Sequence, residues 1–213
     1  MNEEQYQNSI TRNNYRSYQG NYAANFLVNK LKKYIKSPIL DIGAGTGALV
    51  KELEKKNFKA FGIDPVPKNA KVQKGSIGKT GFPRNSFNTI FCSEVIEHLS
   101  NRQIDEGIIE IKKVLIENGN LIITVPFDED LEDNSFTCPN CNHRFHKFGH
   151  LQSFTKERIR LLLEENGFKI IFLKIFPIGV IAKLPLGRFF YPLFLRFNYD
   201  FISKTIIVVA QKI

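Results

Sequence analysis

Three stretches of this 213-residue chain carry residue types that do chemistry. The first is Asp41-Ile42-Gly43-Ala44-Gly45-Thr46-Gly47-Ala48, between a short apolar run and a segment of helical spacing. Glycines at a strand-to-helix turn let backbone approach a ligand closely and accept torsion angles that a Cβ blocks. The next acid at a strand end is Asp64, in Phe61-Gly62-Ile63-Asp64. A carboxylate there suits both hydroxyls of a ribose. The second stretch is Glu94-Val95-Ile96-Glu97-His98-Leu99. Two carboxylates and an imidazole suit moving an acceptor's proton, or holding Mg²⁺, Mn²⁺ or a similar ion. The third runs from Cys138 to His150 and reads C-x2-C-x4-H-x3-H, with His143 as a spare. A thiolate pair at that spacing bites one zinc from a tight turn, and two imidazoles complete a tetrahedron. The expected structural zinc ligands are therefore Cys138, Cys141, His146 and His150.

The elements around these stretches alternate. Helical spacing covers 22–36, 47–56, 101–117 and 155–166, the last opened by Thr155 and closed by Gly167. Apolar runs at 39–42, 59–63, 89–92, 121–125, 168–176 and 205–212 read as strands, with one more short strand near Val72. Asn118-Gly119 is read as the end of the third helix. Strands alternating with helices imply an α/β fold, a mostly parallel sheet with helices on both faces. One domain over 1–213 is expected, with an N-terminal helical arm at 1–36. Two insertions stand out: the cysteine–histidine segment at 128–150, and an apolar, aromatic segment at 177–203.

Composition narrows the field. Hydrophobic residues are 43% and charged residues 24%, which excludes disordered and fibrous classes. The net charge of +9 and a pI near 9.4 point to an anionic partner or surface without naming it. Three cysteines cannot build a disulfide framework, and a C-x2-C pair fits metal binding in a reducing compartment. The polar start and the lack of a long uncharged apolar run lead us to expect a cytoplasmic protein, with membrane-peripheral contact as an option. Arg188, Arg196 and Lys183 interleave with Phe189, Phe190, Tyr191 and Phe197, so 177–203 reads as a lid, a dimer face or a membrane-surface element.

The glycine loop by itself also satisfies the dinucleotide pattern G-x-G-x-x-A, with an acid about 20 residues on. The rest of the chain separates the two readings. Asp-x-Gly-x-Gly-x-Gly resembles motif I of the class I S-adenosylmethionine methyltransferases. Phe87-Asn88-Thr89-Ile90-Phe91-Cys92 resembles their fourth strand, Gly119-Asn120-Leu121-Ile122-Ile123-Thr124-Val125-Pro126 their fifth, and Gly167-Phe168 the start of their sixth. The resemblance implies a seven-stranded sheet with an antiparallel last strand. It also implies S-adenosylmethionine as cofactor, contacted by Asp41, Gly43, Ala44, Gly45, Gly47, Asp64, Ser76 and Ser93. Where the family often has an adenine-contacting acid, this chain has Gly75-Ser76-Ile77.

Glu-x-x-Glu-His is similar to a string in the ubiquinone-biosynthesis O-methyltransferases and in the small-RNA 2′-O-methyltransferases. That likeness implies a divalent metal at Glu94, Glu97 and His98, and His150 falls in the slot of the RNA enzymes' later histidine. His98, Glu94 and Glu97 are the expected catalytic group. The expected acceptor is a hydroxyl of a small-molecule, lipid-linked or glycan compound. RNA is the alternative acceptor, and a non-catalytic cofactor- or zinc-binding module the alternative class.

Overall fold

The computed structural model describes residues 20–177 and 204–213. Most of the N-terminal arm before Gly20, and the apolar insertion apart from Pro177, lie outside them. The chain enters on helix α1 (Gly20–Leu31), a 3₁₀ turn (Lys32–Tyr34), strand β1 (Ile39–Ile42) and helix α2 (Ala48–Lys55). Strands β2 (Ala60–Asp64), β3 (Val72–Lys74) and β4 (Phe87–Ser93) follow, then a 3₁₀ turn (Ile96–His98) and helix α3 (Asn101–Val114). The chain finishes through β5 (Leu115–Pro126), a small hairpin β6 (Ser135–Thr137) and β7 (Arg144–His146), α4 (Lys156–Glu165), β8 (Phe168–Phe176) and β9 (Thr205–Lys212).

Seven strands form one sheet in the order β3-β2-β1-β4-β5-β9-β8. β1 pairs in parallel with β2 and β4, β2 with β3, and β4 with β5. β9 is antiparallel to both β5 and β8, so it is the one reversed strand of this sheet. The sequence expectation of an α/β sheet with a reversed last strand holds. The two-residue side-chain period sorts the core. Leu40, Ile42, Ile90, Leu121 and Ile123 point to the face covered by Ile104, Ile108 and Ile111 of α3 and Ile159 and Leu163 of α4. Ile39, Phe91 and Ile122 point to the other face, under Leu27 and Leu31 of α1 and Leu49 and Leu53 of α2.

One boundary differs from the sequence reading. α3 ends at Val114, and Asn118-Gly119 lie inside β5, with Asn118 in the left-handed region at φ 60°. The pairing slips there: Phe87 aligns with Leu115, but Thr89 aligns with Asn120. Leu115 is fully buried and pairs as a strand residue, although it also fits the helical spacing of α3. A contact distant in sequence closes the helix instead. Lys212 Nζ donates to the carbonyls of Lys112 and Leu115, at 2.8 and 3.0 Å. A cation on the last carbonyls satisfies groups that the helix leaves bare.

Among the described residues no helix is long and apolar enough to cross a membrane.

Candidate active site

Two neighbouring loops at the carboxyl edge of the parallel strands form the site. Ligands bind at that edge in open α/β sheets, where the strand order reverses, and here that place is beside β1 and β4.

The first loop follows β1. Gly43, Gly45 and Gly47 have φ of 76°, 50° and 73°, and no β-branched residue would hold such torsions without strain. A Cβ on Gly43 would also collide with Cγ2 of Val95. The amides of Gly43 and Ala44 donate to the Ile63 carbonyl, each at 2.9 Å. The Gly45 amide donates to Asp64 Oδ2 at 2.9 Å, and the Val66 amide to Asp64 Oδ1 at 2.8 Å. Asp64 therefore anchors the loop, and each of its oxygens keeps a lone pair for a ligand hydroxyl. Asp41 is buried at the root of the loop. Burial, with the Asp64 carboxylate nearby, pushes its carboxyl up to about 8. Ser93, at the end of β4, has a buried hydroxyl without a hydrogen-bond partner. Ser76 closes a tight turn with Lys79 just past β3, through paired backbone hydrogen bonds.

The second loop follows β4. Glu94 sits in the left-handed region at φ 54° and is gripped by Thr124 of β5. Its amide donates to the Thr124 carbonyl at 2.9 Å, and its Oε1 accepts from the Thr124 hydroxyl at 2.8 Å. Burial raises the Glu94 carboxyl, against that hydrogen bond. Glu97 is 0% exposed, and neither carboxylate oxygen has a hydrogen-bond partner. Burial first, and the Glu94 carboxylate second, push its carboxyl far above the usual range. The Glu97 carbonyl accepts from the amides of Leu151 and Gln152, at 2.7 and 3.0 Å, which ties the far end of the 128–150 segment onto this turn. His98 Nδ1 lies 3.1 Å from the Gly149 carbonyl. A carbonyl only accepts, so Nδ1 carries the proton and Nε2 keeps its lone pair. Burial and the adjacent His150 imidazole lower His98 to about 4, so it is neutral at physiological pH. The ordinary imidazole titration near neutrality is lost here. Ser100 then starts α3 with a capping box to Gln103.

The 128–150 segment departs most from the zinc expectation. Its ends are pinned together: the Asp128 amide donates to the Phe154 carbonyl at 2.9 Å, and Phe127 bridges Phe154. The β6–β7 hairpin carries Cys138 and Cys141 at its tip, with Cys141 exposed, while His146 is 7% exposed at its base. The Cys138 sulfur accepts from the amides of Asn140 and Cys141, which holds its thiol below the ordinary range. Cys138, Cys141, His146 and His150 are not brought together as four ligands. Two groups of ligand-type atoms converge within 4.8 Å among the described residues, and neither contains a cysteine: Glu97, His98 and His150, and Glu129, His146 and His150. The spacing fitted a knuckle, but the hairpin's pairing ends at Thr137 and Arg144, which leaves both cysteines in the tip beyond it and His146 at its paired base. Sequence reasoning missed Thr124, Val95 and Glu129. Nothing marks Glu129 among the acids of 128–133.

The strand order decides between the cofactor classes left open by the glycine loop. A dinucleotide-binding sheet continues in parallel past its fifth strand, whereas here reversed β9 separates β5 from β8. A family model described as a methyltransferase domain matches residues 12–173. The chain belongs to this methyltransferase family. Solved structures share its fold at low identity. A SAM-dependent methyltransferase from Archaeoglobus fulgidus superposes with a TM-score of 0.63 at 17% identity, covering 90% of this chain and 94% of that one. One from Methanosarcina mazei gives 0.58 at 17% identity, covering 86% and 97%. The 1,6-didemethyltoxoflavin-N1-methyltransferase of Burkholderia thailandensis, crystallised with S-adenosylhomocysteine, gives 0.63 at 14% identity, covering 94% and 81%. No curated protein matches the chain in sequence.

Proposed function

We propose that this methyltransferase moves a methyl group from S-adenosylmethionine to a hydroxyl of a small-molecule, lipid-linked or glycan acceptor. The acceptor would lie against Glu94, Glu97 and His98. One observation carries the reading: the glycine loop and the Glu-x-x-Glu-His turn are in contact. Val95, from inside the turn, packs directly over Gly43. A donor cradled by the loop is then beside an acceptor held by the turn.

The residues fit the donor. The glycine loop with its left-handed, side-chain-free backbone, the unpartnered Ser93 hydroxyl and the spare lone pairs of Asp64 suit a nucleoside carrying an amino acid. When bound, S-adenosylmethionine supplies a methyl already activated on a sulfonium. The loop orients the ligand, Asp64 accepts from the ribose hydroxyls, and buried Asp41, held as the neutral acid at the root of the loop, supports it. In the reaction the acceptor oxygen gains the methyl as the sulfur–carbon bond breaks, and the acceptor's proton leaves to a base or to water. Burial raises the proton affinity of both Glu94 and Glu97, so whichever of the two is ionised beside the acceptor takes that proton while the other holds its own. His98 offers a neutral Nε2 to orient the hydroxyl. A divalent ion held by Glu97, His98 and His150 would lower the acceptor's pKa. The unpartnered buried Glu97 carboxylate and the two convergent imidazoles fit such an ion.

The first experiment is thermal unfolding with S-adenosylhomocysteine and with NAD in parallel. Saturating S-adenosylhomocysteine at about 100 times its Kd should stabilise the fold by about 2.7 kcal/mol, and NAD by nothing. Stabilisation by NAD alone would sink the cofactor assignment. Transfer of radiolabelled methyl into pools of hydroxylated small molecules, prenylated phenols, glycans and RNA then identifies the acceptor. Label entering RNA alone would replace this acceptor class.

A further inference from the structure

We infer that Glu129 is a positioning residue for His150, fixing its tautomer so that the Nε2 lone pair joins Glu97 and His98 on the acceptor side. The inference deepens the acceptor-site reading above and rests on it for the purpose of that lone pair. The chain of hydrogen bonds itself is independent of any cofactor.

His146 sets the direction of the chain. Its Nδ1 accepts from the amides of His150, at 3.1 Å, and Phe148, at 3.3 Å. An imidazole nitrogen that accepts two amides carries no proton, so the proton of neutral His146 sits on Nε2. Burial holds His146 below its ordinary pKa, which agrees with the neutral form. Nε2 lies 3.5 Å from Glu129 Oε1. A proton there excludes His146 as a ligand through Nε2, which faces Glu129 without a hydrogen-bond partner. Asn134 Nδ2 donates to the same oxygen at 3.3 Å. The hairpin places both groups, because Ser135 pairs with His146 and the Lys147 amide donates to the Asn134 carbonyl at 2.7 Å.

The other oxygen of Glu129 has a different task. Oε2 is hydrogen-bonded to Nδ1 of His150. Glu129 is held below the ordinary carboxylate range by the hydrogen bond from His150, against the opposing cost of burial. An ionised carboxylate only accepts, so His150 Nδ1 donates and Nε2 is left bare. His98 reaches the same state by another route, its Nδ1 donating to the Gly149 carbonyl. The rings of His98 and His150 meet edge to face with centroids 4.8 Å apart. Ring nitrogens of both imidazoles and the unpartnered Glu97 carboxylate converge, and Glu129 holds one of the two rings. The 128–150 segment is, on this inference, part of the acceptor site rather than a separate zinc module.

The chain has four histidines, which makes nitrogen-15 NMR of the tautomers direct. Full-length protein labelled on histidine is measured at pH 7.5 with chelator present. In the wild type, His98 and His150 should appear as Nδ1–H tautomers and His146 as the Nε2–H tautomer. His150 with its proton on Nε2 would overturn the inference, without any variant. In Glu129→Met, which keeps the bulk and removes the acceptor, His150 should shift to at least about half Nε2–H, while His98 stays unchanged. A His150 signal identical to wild type in a folded variant would also overturn it. The methyl-transfer reading fails separately, by absence of S-adenosylhomocysteine binding in protein whose tautomers are as described.

Discussion

The two loops of the site solve one problem with different materials. The loop after β1 is made of backbone: three left-handed glycines, amide donors and one anchoring carboxylate that accepts two of them. The loop after β4 presents side chains, and the partners that hold it are 30 to 55 residues away. Glu94 is held by Thr124, Glu97 is tied to Leu151, and His98 leans on Gly149. A backbone cradle needs only short residues in the right order. A side-chain cluster needs a distant segment brought back, and here the pinned ends of 128–150 do that. The first design suits a ligand shared by many enzymes, and the second suits the part that differs between them.

The sharpest way to break the cradle is Gly43→Ala. It adds a collision with Val95 to a left-handed torsion, and such a position costs about 1–3 kcal/mol. Stabilisation by S-adenosylhomocysteine should vanish, and the companion change Val95→Ala should recover only the steric part. Full retention of binding in Gly43→Ala would mean that the loop is no cradle. The side-chain half is tested by Glu97→Gln. Burial already favours a neutral group there, so the variant should melt no lower than wild type and bind the cofactor analogue equally. Methyl transfer should fall about 100-fold or more, the usual loss of an acid–base group. Equal turnover would remove Glu97 from the chemistry.

A smaller effect separates the halves by pH. The Asp41 carboxyl is raised from 3.8 to about 8, so folded protein holds a proton that unfolded protein releases. Its contribution to stability is full below pH 3.8 and is lost as pH rises toward about 8. Asp41→Asn carries no such loss. Its melting temperature should gain on wild type as pH goes from 5 to 8, and a constant difference would contradict the burial argument. The smallest effect should come from Cys138→Ser with Cys141→Ser at the hairpin tip. With neither thiol in a convergent group, stability should change by less than about 0.5 kcal/mol and methyl transfer should be unaffected. Loss of bound zinc together with folding in that variant would restore the four-ligand knuckle.

Much of this architecture is legible in the sequence. β8 and β9 match the apolar runs at 168–176 and 205–212, and Thr155 caps α4 as its residue type suggests, accepting from the Arg158 amide. The glycine loop is legible because its requirement is local: torsions and close approach are properties of glycine itself. The end of α3 was not. Leu115 satisfies a helical period and a strand period equally, and burial against β4, with Lys212 on the free carbonyls, settles it as strand. The cysteine–histidine segment is harder to read for a related reason. Spacing counts ligands along the chain, but the fold decides which of them converge, and the two groups that converge among the described residues hold no cysteine.

The sequence by itself therefore determined the alternation of strands and helices, the cradle and the pair of acids with His98, since each is written within a few neighbouring residues. Only the tertiary structure decided where β9 inserts, that His146 and His150 converge with acids, and that Glu129 stands behind His150. Those facts depend on which distant surfaces are buried together, and a burial energy summed over the whole core leaves no mark on any one short stretch of sequence.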